Sequence, residues 1–309
     1  MGCILVQPKT NKAIPASFPQ EENTPSLLSK ETGPTLTVSI VTFAPDLELL
    51  TRCVASLNQA INVAHHRGVL ATTSLIIIDN GPGDQWLAQL RDMGTELDAR
   101  AEFALPIRYL SGHGNIGFGA GHNLAITQSK SDFHLILNPD VILCQDAIAN
   151  GITFMQQHAR VGVVTPRAES APGIRQYLCR TYPTLFDLFL RGFAPMALRR
   201  LFAERLAALE LQEKCGEIPA MDVAIISGCF MLYRTELLQR LHGFSEEYFL
   251  YFEDFDLSLR TKKLAQLAYV PSVRIIHAGG NAGRKGWRHI RMFISSAWTF
   301  MNQHGWCLW

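Results

Sequence analysis

The residues with the clearest chemical potential lie in one short segment, Glu253-Asp254-Phe255-Asp256. It places three carboxylates within four residues, directly after the aromatic run 248–252. A helix that begins here would hold these acids in its first turn, where the helix dipole favours the ionised form. An ionised, partly enclosed carboxylate can act as a general base towards a hydroxyl. We therefore predict that Asp254 takes part in chemistry.

The neighbouring acid, Asp256, has a simpler structural explanation. Arg260 follows it by four residues, which is the spacing of a helical ion pair. We expect Asp256 to form that pair. The aromatic residues before the acids could form an apolar wall for an acceptor, and core packing explains them equally well.

Two further candidates are Asn138-Pro139-Asp140 and His277, each at the end of a predicted strand. Asp140 could share a divalent cation with diphosphate oxygens, although an Asn-Pro turn with a helix-capping Asp is an equal alternative. A lone His is more often structural. A neutral imidazole at residue 277 could nevertheless complete a metal site, with Arg284 or Lys285 in the next loop binding phosphates.

A glycine-rich stretch, residues 112–121, contains the pattern G-x-G-x-x-G between a predicted strand and a predicted helix. This is the setting of a dinucleotide fingerprint, so an NAD(P)-dependent oxidoreductase is an alternative function. The stretch follows the third strand rather than the first, and Asn115 and Asn123 add amides that a phosphate turn does not need. A tight turn with positive φ would also explain the glycines.

Short β-branched runs alternate with helical patterns in the first half of the chain, which predicts an α/β fold with a mostly parallel sheet. Ligands bind beyond the carboxyl ends of the strands in such sheets, where Asp79 and Asn80 also fall. The predicted strands are residues 36–43, 74–79, 107–110 and 134–137, and the predicted helices are residues 47–65, 86–93 and 121–129.

The second half is less regular. An amphipathic helical region at residues 184–212 precedes a strand at 223–234, a helix at 236–241, a strand at 268–276 and a helical tail from 287 to 309. The first region and the tail both mix apolar residues with arginines. They could lie on an anionic membrane, or pack on the domain or a second subunit.

The composition limits the class of protein. The 309 residues are 48% hydrophobic and 18% charged, with a net charge of +1, which argues against disorder and against a nucleic-acid partner. Seven scattered cysteines without C-x-x-C predict a reducing compartment. Residues 1–34 read as a poorly ordered leader without a signal peptide. We expect a cytoplasmic protein, with peripheral contact at the inner face of the membrane as a further possibility.

Taken in order, these segments resemble glycosyltransferase family 2, whose members have the GT-A fold, and within it the bacterial rhamnosyltransferase-like group. The resemblance spans roughly residues 36–290. The matching segments are residues 39–42, 76–80, 115–123, 137–141, 226–232, 243–249, 252–260 and 270–277.

The resemblance implies a role for individual residues. Asp254 corresponds to the catalytic base, and Asp140 to the retained carboxylate of the D-x-D motif that binds Mg²⁺ or Mn²⁺, with His277 as a further ligand. Asn138 stands where the family pattern has the first Asp, which predicts weaker metal binding. The implied donor-binding residues are Thr42, Asp79, Asn80, Asn115, Gly117, Asn123, Asn138 and Arg284, and the acceptor side is formed by Glu253, Tyr251 and Gly228.

The function implied by the resemblance is inverting transfer of a sugar from a nucleotide sugar. For the donor it points to dTDP-L-rhamnose. The acceptor would be a hydroxyl of a glycan or lipid-linked glycan, such as lipopolysaccharide, O-antigen or capsule. A UDP-sugar donor and a non-catalytic sugar-nucleotide-binding subunit are alternatives. The expected organisation is a leader (1–34), a GT-A domain (35–286, with a nucleotide-sugar half at 35–145 and an acceptor half at 146–286) and a helical tail (287–309).

Overall fold

A computed structural model of the chain describes residues 33–81, 85–98, 105–277 and 286–309. The predicted leader therefore lies outside the described residues except for its last two positions. Arg284 and Lys285 also lie outside them. The strands are β1 (Thr35–Thr42), β2 (Thr72–Asp79), β3 (Ile107–Leu110), β4 (Phe133–Leu137), β5 (Val141–Leu143), β6 (Val161–Ala171), β7 (Ile174–Gln176), β8 (Cys179–Arg180), β9 (Ile225–Ile226), β10 (Phe230–Arg234) and β11 (Gln266–His277).

Helices cover the faces of the sheet and form the carboxyl-terminal layer. They are α1 (Leu47–His66), α2 (Gln85–Asp98), α3 (Phe118–Ile126), α4 (Ala147–Gln157), α5 (Leu185–Gly192), α6 (Met196–Leu201), α7 (Ala203–Leu209), α8 (Thr235–Arg240), α9 (Glu253–Lys262) and α10 (Trp287–His304). Of these described helices, none combines the length and the apolar character that crossing a bilayer requires.

The central sheet has the strand order β3-β2-β1-β4-β10-β6-β11-β5, with β7 paired to β6. Strands β3, β2, β1 and β4 run parallel. Strand β10 then runs antiparallel to both β4 and β6, so the sheet is mixed beyond the first half. The predicted α/β class is confirmed, and both halves share one continuous sheet.

The first half folds as its sequence predicts because local signals agree. Strand β1 is buried along nearly its whole length, as expected of a strand covered by helices on both faces. Helix α1 starts at Asp46, whose side chain accepts hydrogen bonds from the backbone N–H groups of Glu48 and Leu49. The core beneath α1 is formed by β1, β2 and β4.

Two predictions for the second half were wrong in detail. Residues 184–212 form three short helices instead of one. The helix ends after Gly192, and the helical region is interrupted again at Phe202. Pro195, just before α6, cannot continue the earlier helix because proline has no backbone N–H. Residues 223–234 form two strands, β9 and β10, because a turn at residues 227–229 interrupts them.

An aromatic cluster joins α10 to the segment before α9. The ring of Phe252 lies 5.3 Å from that of Phe300 and 5.2 Å from that of Phe293. The imidazole of His304 lies 2.9 Å from Asp256, whose other oxygen accepts hydrogen bonds from Arg260. The predicted Asp256–Arg260 pair is therefore confirmed. Helix α10 therefore contacts the start of α9 both through the rings of Phe293 and Phe300 and through the His304–Asp256 pair.

Candidate active site

The first part of the site lies at the carboxyl ends of β1 and β2. Thr42 and Asp79 are partners in the parallel register, and both are buried. The Thr42 hydroxyl lies 3.4 Å from Asp79 Oδ1, which also accepts a hydrogen bond from Gly81 N. Asn80 N donates to Thr42 O, and the Asn80 side chain lies within 2.9 Å of His113 Nε2. This edge presents a carboxylate and an amide that could bind the ring edge of a base.

The glycine loop before α3 is fixed against the aromatic loop that precedes Asp254. Gly117 has φ 93°, and a Cβ at this position would collide with the carbonyl oxygen of Phe249. Phe118 N donates to the same oxygen at 3.1 Å, and Asn115 Oδ1 accepts from Gly117 N. Asn80 Nδ2 donates to Gly117 O at 2.8 Å. The loop thereby connects Asn80, at the end of β2, to the aromatic segment that precedes Asp254.

Asn123, another predicted donor-binding residue, holds a turn. Its amide donates to Phe244 O, and its carbonyl oxygen accepts from Phe244 N, both at 2.9 Å. Gly243 has φ 64°, and a Cβ there would collide with the Asn123 side chain. The geometry gives Asn123 a positioning role behind the glycine loop, while its contact with a donor stays a prediction.

The second part of the site is formed by Asp140 and His277. Strand β11 pairs with β5 so that His277 faces Val141, and His277 Nε2 lies 3.5 Å from Asp140 Oδ1. On its other side, His277 Nδ1 lies 3.1 Å from Gln176 Oε1. If Nδ1 carries the proton and donates to Gln176, the Nε2 lone pair points towards Asp140. The structure therefore brings the two predicted metal ligands together.

The surroundings of this pair fit a divalent cation shared with a substrate. Asn138 Oδ1 is buried and has no hydrogen-bond partner among the described residues. Those residues contain no cluster of three or more His, Cys, Asp or Glu side chains able to enclose a metal. Mg²⁺ commonly takes one or two carboxylates and completes its shell with phosphate oxygens and water, and imidazole suits transition metals such as Mn²⁺. Asp140 and His277 match that partial set.

The third part of the site is the start of α9. Asp254 Oδ2 accepts a hydrogen bond from Gly228 N at 2.9 Å, and Oδ1 accepts from Phe255 N at 3.0 Å. The residue is only partly exposed. These bonds orient the carboxylate within the first turn of the helix. Gly228, predicted on the acceptor side, lies directly against it.

The backbone before Asp254 is strained. Tyr251 and Phe252 are consecutive non-glycine residues with φ 71° and φ 66°, in the left-handed region. Such conformations cost about 1–3 kcal/mol each and persist where the surroundings impose them. Here the aromatic contacts of Phe252 with α10 impose them. The strain makes the helix begin at Glu253 and sets the direction of Asp254.

The two adjacent acids have perturbed protonation. Burial raises the pKa of Asp254, an effect that the two backbone hydrogen bonds and the positive charge of Arg180 partly offset. Burial and the neighbouring Asp254 raise the pKa of Glu253 well above its usual range. Glu253 Oε2 is buried without a hydrogen-bond partner in the described part of the chain. Asp254 is thus the better oriented of the two carboxyl groups.

A short connection links the metal pair to Asp254. Asn138 N donates to Cys229 O at 2.9 Å, so the turn that holds Asp254 through Gly228 continues the β4–β10 pairing. Burial, followed by the charges of Asp140 and Asp254, raises the pKa of the Cys229 thiol to about 12. Cys229 therefore lies close enough to both carboxylates for the charge of each to raise the pKa of its thiol.

The acceptor side borders α10. The Tyr251 hydroxyl lies 3.0 Å from His289 Nδ1, and its ring lies 5.7 Å from that of Phe293. Tyr251 is partly exposed, whereas the Glu253 side chain is buried. Of the predicted acceptor residues, Tyr251 is thus accessible, and Glu253 is enclosed behind Asp254.

Three residues near these sites were not found from the sequence. Gln176 orients His277, His113 contacts Asn80, and Arg180 lowers the pKa of Asp254. Gln176 and Arg180 belong to β7 and β8, for which no strands were predicted. His113 lies inside the glycine-rich stretch, where a polar side chain between two glycines could have been noticed as a candidate.

A family model described as "Glycosyltransferase like family 2" matches residues 34–292. Rhamnosyltransferase WbbL of Escherichia coli (strain K12) is 28% identical over 178 residues, which cover 55% of this chain and 63% of that protein. The N-acetylglucosaminyl-diphospho-decaprenol L-rhamnosyltransferase of Mycobacterium tuberculosis (strain CDC 1551 / Oshkosh) is 27% identical over 286 residues. This match covers 88% of this chain and 86% of that protein.

The fold is shared with solved glycosyltransferases. Mannosyltransferase PcManGT from Pyrobaculum calidifontis, solved in complex with GDP-Man and Mn²⁺, superposes with a TM-score of 0.55 at 18% identity. The match covers 89% of this chain and 64% of that protein. The chain thus spans less than two thirds of both the mannosyltransferase and WbbL. The predicted GT-A fold is confirmed.

Proposed function

Since the chain belongs to the glycosyltransferase like family 2, we propose that it is an inverting glycosyltransferase with Asp254 as the general base. The observation that carries this proposal is the orientation of Asp254. Its carboxylate accepts hydrogen bonds from Phe255 N and from Gly228 N, and the turn at residues 227–229 is hydrogen-bonded to Asn138, two residues before Asp140. This link supports a proton acceptor and a diphosphate-binding edge in one site.

The proposed reaction is a single displacement. The acceptor hydroxyl attacks the anomeric carbon of the donor while Asp254 takes the hydroxyl proton. A new glycosidic C–O bond forms, and the bond between the anomeric carbon and the diphosphate oxygen breaks. The nucleoside diphosphate leaves with the bonding electron pair, and the configuration at the anomeric carbon inverts.

Asp140 and His277 would hold Mg²⁺ or Mn²⁺, with Gln176 orienting the imidazole. When bound, the cation supplies Lewis-acid stabilisation of the negative charge on the leaving diphosphate. Arg284, outside the described residues, is proposed to contact the same phosphates. Asn138 offers an amide oxygen where the family pattern has a carboxylate, which supports weaker metal binding.

For the donor we propose dTDP-L-rhamnose. Thr42, Asp79 and Asn80 would bind the nucleoside, and the loop at Asn115 and Gly117 would line the ribose and diphosphate. The support for the sugar is that two curated relatives, at 28% and 27% identity, are named rhamnosyltransferases. A UDP-sugar is the alternative donor for the same site.

For the acceptor we propose a hydroxyl of a lipid-linked surface glycan. The name of the mycobacterial relative specifies a diphospho-decaprenol substrate for that protein, which supports this class of acceptor here. Tyr251, which is partly exposed, would contact the acceptor sugar, while Gly228 is buried and would act on the acceptor side by holding Asp254 in place. The NAD(P)-dependent oxidoreductase alternative is less well supported, because Gly117 is needed for the close approach of Phe249.

The test is to incubate the chain with dTDP-L-rhamnose or UDP-sugars, Mg²⁺ or Mn²⁺, and a lipid-linked acceptor, and to measure the released nucleoside diphosphate. Asp254→Asn should lower kcat by about 10²- to 10⁴-fold, because the general base is lost. Donor binding, followed by calorimetry, should not change. Retained turnover in this variant would remove Asp254 as the base.

Asp256→Asn is the matched control, since it makes the same change two residues later in the helix. It should lower the free energy of unfolding by about 1–3 kcal/mol, because Arg260 and His304 lose a charged partner. Its kcat should stay close to that of the unmodified chain. Donor binding without transfer to any acceptor would instead indicate a non-catalytic subunit.

A further inference from the structure

Helix α10 has two apolar faces, of which one is exposed. Ala297 and Phe300 are buried against the rest of the molecule, whereas Trp287, Ile294 and Trp298 are 77%, 54% and 61% exposed. Steps of seven and four residues place these three side chains on one stripe of the helix. We call this stripe the outer face of α10. A helix that only packed on its own domain would not need it.

Exposed apolar side chains also lie on segments that contact α10. The ring of Phe193, at the end of α5 and itself exposed, lies 6.4 Å from that of Phe293 on α10. At the end of the chain, Trp309 stacks on Phe186 of α5 with ring centroids 4.5 Å apart and is also exposed. The exposed large apolar side chains of residues 185–202, of α10 and of the last two residues are Phe189, Phe193, Met196, Leu201, Trp287, Ile294, Trp298, Leu308 and Trp309.

The exposed charged side chains of α10 and of residues 185–202 are arginines. Helix α10 contains no Asp or Glu, and its exposed Arg288 and Arg291 lie beside Trp287. Between residues 185 and 202 the only acid is Asp187, which is buried and paired with Arg205. Arg191 and Arg200 are exposed in the same region, and Arg191 also lies 3.8 Å from Glu210. Tryptophans combined with arginines and no acids complement the headgroup region of an anionic bilayer.

We propose that the outer face of α10, together with the exposed residues of α5 and α6, binds the surface of an anionic membrane. Trp287 and Trp298 lie at the headgroup boundary, and Arg288 and Arg291 contact lipid phosphates. The number and size of the exposed apolar side chains favour insertion into lipid over binding to a polar macromolecule. The catalytic domain is thereby held on the bilayer.

The inner face of the same helix contacts the loop that carries Asp254. His289 lies 3.0 Å from the Tyr251 hydroxyl, and Phe293 packs on both Tyr251 and Phe252. A helix with its side chains is about 10 Å thick. The acceptor side would therefore lie about one helix thickness above the lipid, within reach of a lipid-linked diphosphate. This consequence rests on the proposed function, whereas the membrane-binding surface does not.

The experiment is sedimentation of the full chain with vesicles, without donor or metal. Vesicles of phosphatidylcholine with phosphatidylglycerol should bind the chain, and pure phosphatidylcholine should bind it much more weakly. Each arginine near an anionic surface contributes about fivefold to partitioning, so Arg288→Ser with Arg291→Ser should weaken binding by about 25-fold. Ile294→Ser should weaken it by about tenfold, because an apolar side chain is lost from the lipid.

Matched controls make the same changes elsewhere. Arg52→Ser with Arg67→Ser removes two exposed arginines from the region of α1, and Ile174→Ser changes an isoleucine that is 60% exposed on β7. Both should leave vesicle binding unchanged. In the unmodified chain, tryptophan fluorescence should be quenched by vesicles containing brominated lipid, which tests insertion without any substitution.

Equal binding by the α10 variants and the controls, or the absence of quenching, would overturn the proposal. So would a dimer in analytical ultracentrifugation that Ile294→Ser dissociates while vesicle binding is absent, since the surface would then join two copies. Because no sugar nucleotide is present, a failure here leaves the proposed transfer reaction unaffected. A failure of transfer likewise leaves the vesicle result valid.

Discussion

The edge at Thr42, Asp79 and Asn80, which we propose binds the nucleoside, is built differently from the loop at residues 251–254, which carries the proposed general base. At this nucleoside edge, Thr42 and Asp79 continue a parallel ladder with their side chains in contact, and the Asn80 side chain donates to Gly117 O. In the loop, consecutive residues have positive φ, Glu253 keeps a buried oxygen without a partner in the described chain, and burial raises the pKa of two adjacent acids.

We expect this difference to separate nucleotide binding from chemistry within one fold. A relaxed, satisfied edge can hold a nucleotide without rearrangement, whereas strain and perturbed pKa values are typical of groups that react. Changes at the nucleoside edge should therefore alter affinity, and changes in the loop should alter turnover or its pH dependence. The variants below test that separation.

The largest effect beyond Asp254 is expected at the metal pair, which lies between the two regions. Asp140→Asn combined with His277→Ala should weaken Mn²⁺ binding in the presence of nucleoside diphosphate by at least about 100-fold, because both protein ligands are lost. Gln176→Ala should weaken it by about tenfold, because the imidazole loses its orienting partner. The measurement is a Mn²⁺ titration followed by calorimetry.

His113→Ala is the control for that titration. His113 contacts Asn80 and not the metal pair, so its loss should weaken nucleotide binding without moving the Mn²⁺ half-saturation point. An unchanged Mn²⁺ affinity in the double variant would mean that Asp140 and His277 do not hold the metal.

The next largest effect is expected from Asp79→Asn at the nucleoside edge. Loss of a charged hydrogen-bond acceptor costs about 1.5–3 kcal/mol, which corresponds to about a 10- to 100-fold rise in the Kd for the donor. Turnover at saturating donor should change by less than about threefold. A fall in kcat comparable to that of Asp254→Asn would contradict the division between the two regions.

Glu253→Gln should change the pH dependence of stability. The pKa of Glu253 is raised on folding, so the folded state holds its proton more tightly than the unfolded state. Stability is then lost as the pH rises from the ordinary pKa of Glu towards the raised one, by up to about 1.4 kcal/mol per pH unit. The variant should flatten this fall over the pH range that begins at the ordinary pKa of Glu.

Thermal unfolding across that pH range is the measurement, and Glu236→Gln is the control because Glu236 is exposed at the start of α8. If the control and Glu253→Gln give the same profile, the buried carboxyl does not take up a proton on folding.

The smallest effect is expected from Arg180→Met. Its positive charge lowers the pKa of Asp254, so its removal should move the acidic limb of the kcat/KM profile to higher pH. At neutral pH the loss of kcat/KM should stay below about tenfold. Arg205→Met, which removes an arginine paired to Asp187, is the control. An acidic limb that stays in place would exclude an electrostatic effect of Arg180 on Asp254.

The sequence predicts the first half well because each signal there is local. Buried β-branched runs end in polar residues, so the edge formed by Asp79 and Asn80 could be placed before the structure was known. The ion pair of Asp256 with Arg260 follows from helical spacing alone. The meeting of Asp140 and His277 could be proposed only by analogy, since it depends on β5 pairing with β11 across more than a hundred residues.

The boundaries of the strands and helices in the second half could not be predicted, because contacts between residues distant in sequence override the local hydrophobic pattern there. The turn at Gly228 interrupts an apolar run that reads as one strand, since Gly228 N bonds to Asp254 instead of a neighbouring strand. The amphipathic pattern at residues 184–212 continues across the breaks at residues 193–195 and at Phe202, so it does not reveal them. Arg180 gains its position from a long-range contact, the pairing of β8 with β9.

The contact of Gly117 and Phe118 with the carbonyl group of Phe249 has a consequence for protein engineering. A chimaera that takes residues 35–145 from a relative to change the donor would keep this contact only if the incoming loop has glycine at the same place. It would also need an aromatic loop of matching course at residues 248–252. Donor specificity is therefore best exchanged as a discontinuous block, with the glycine loop and residues 243–252 grafted together.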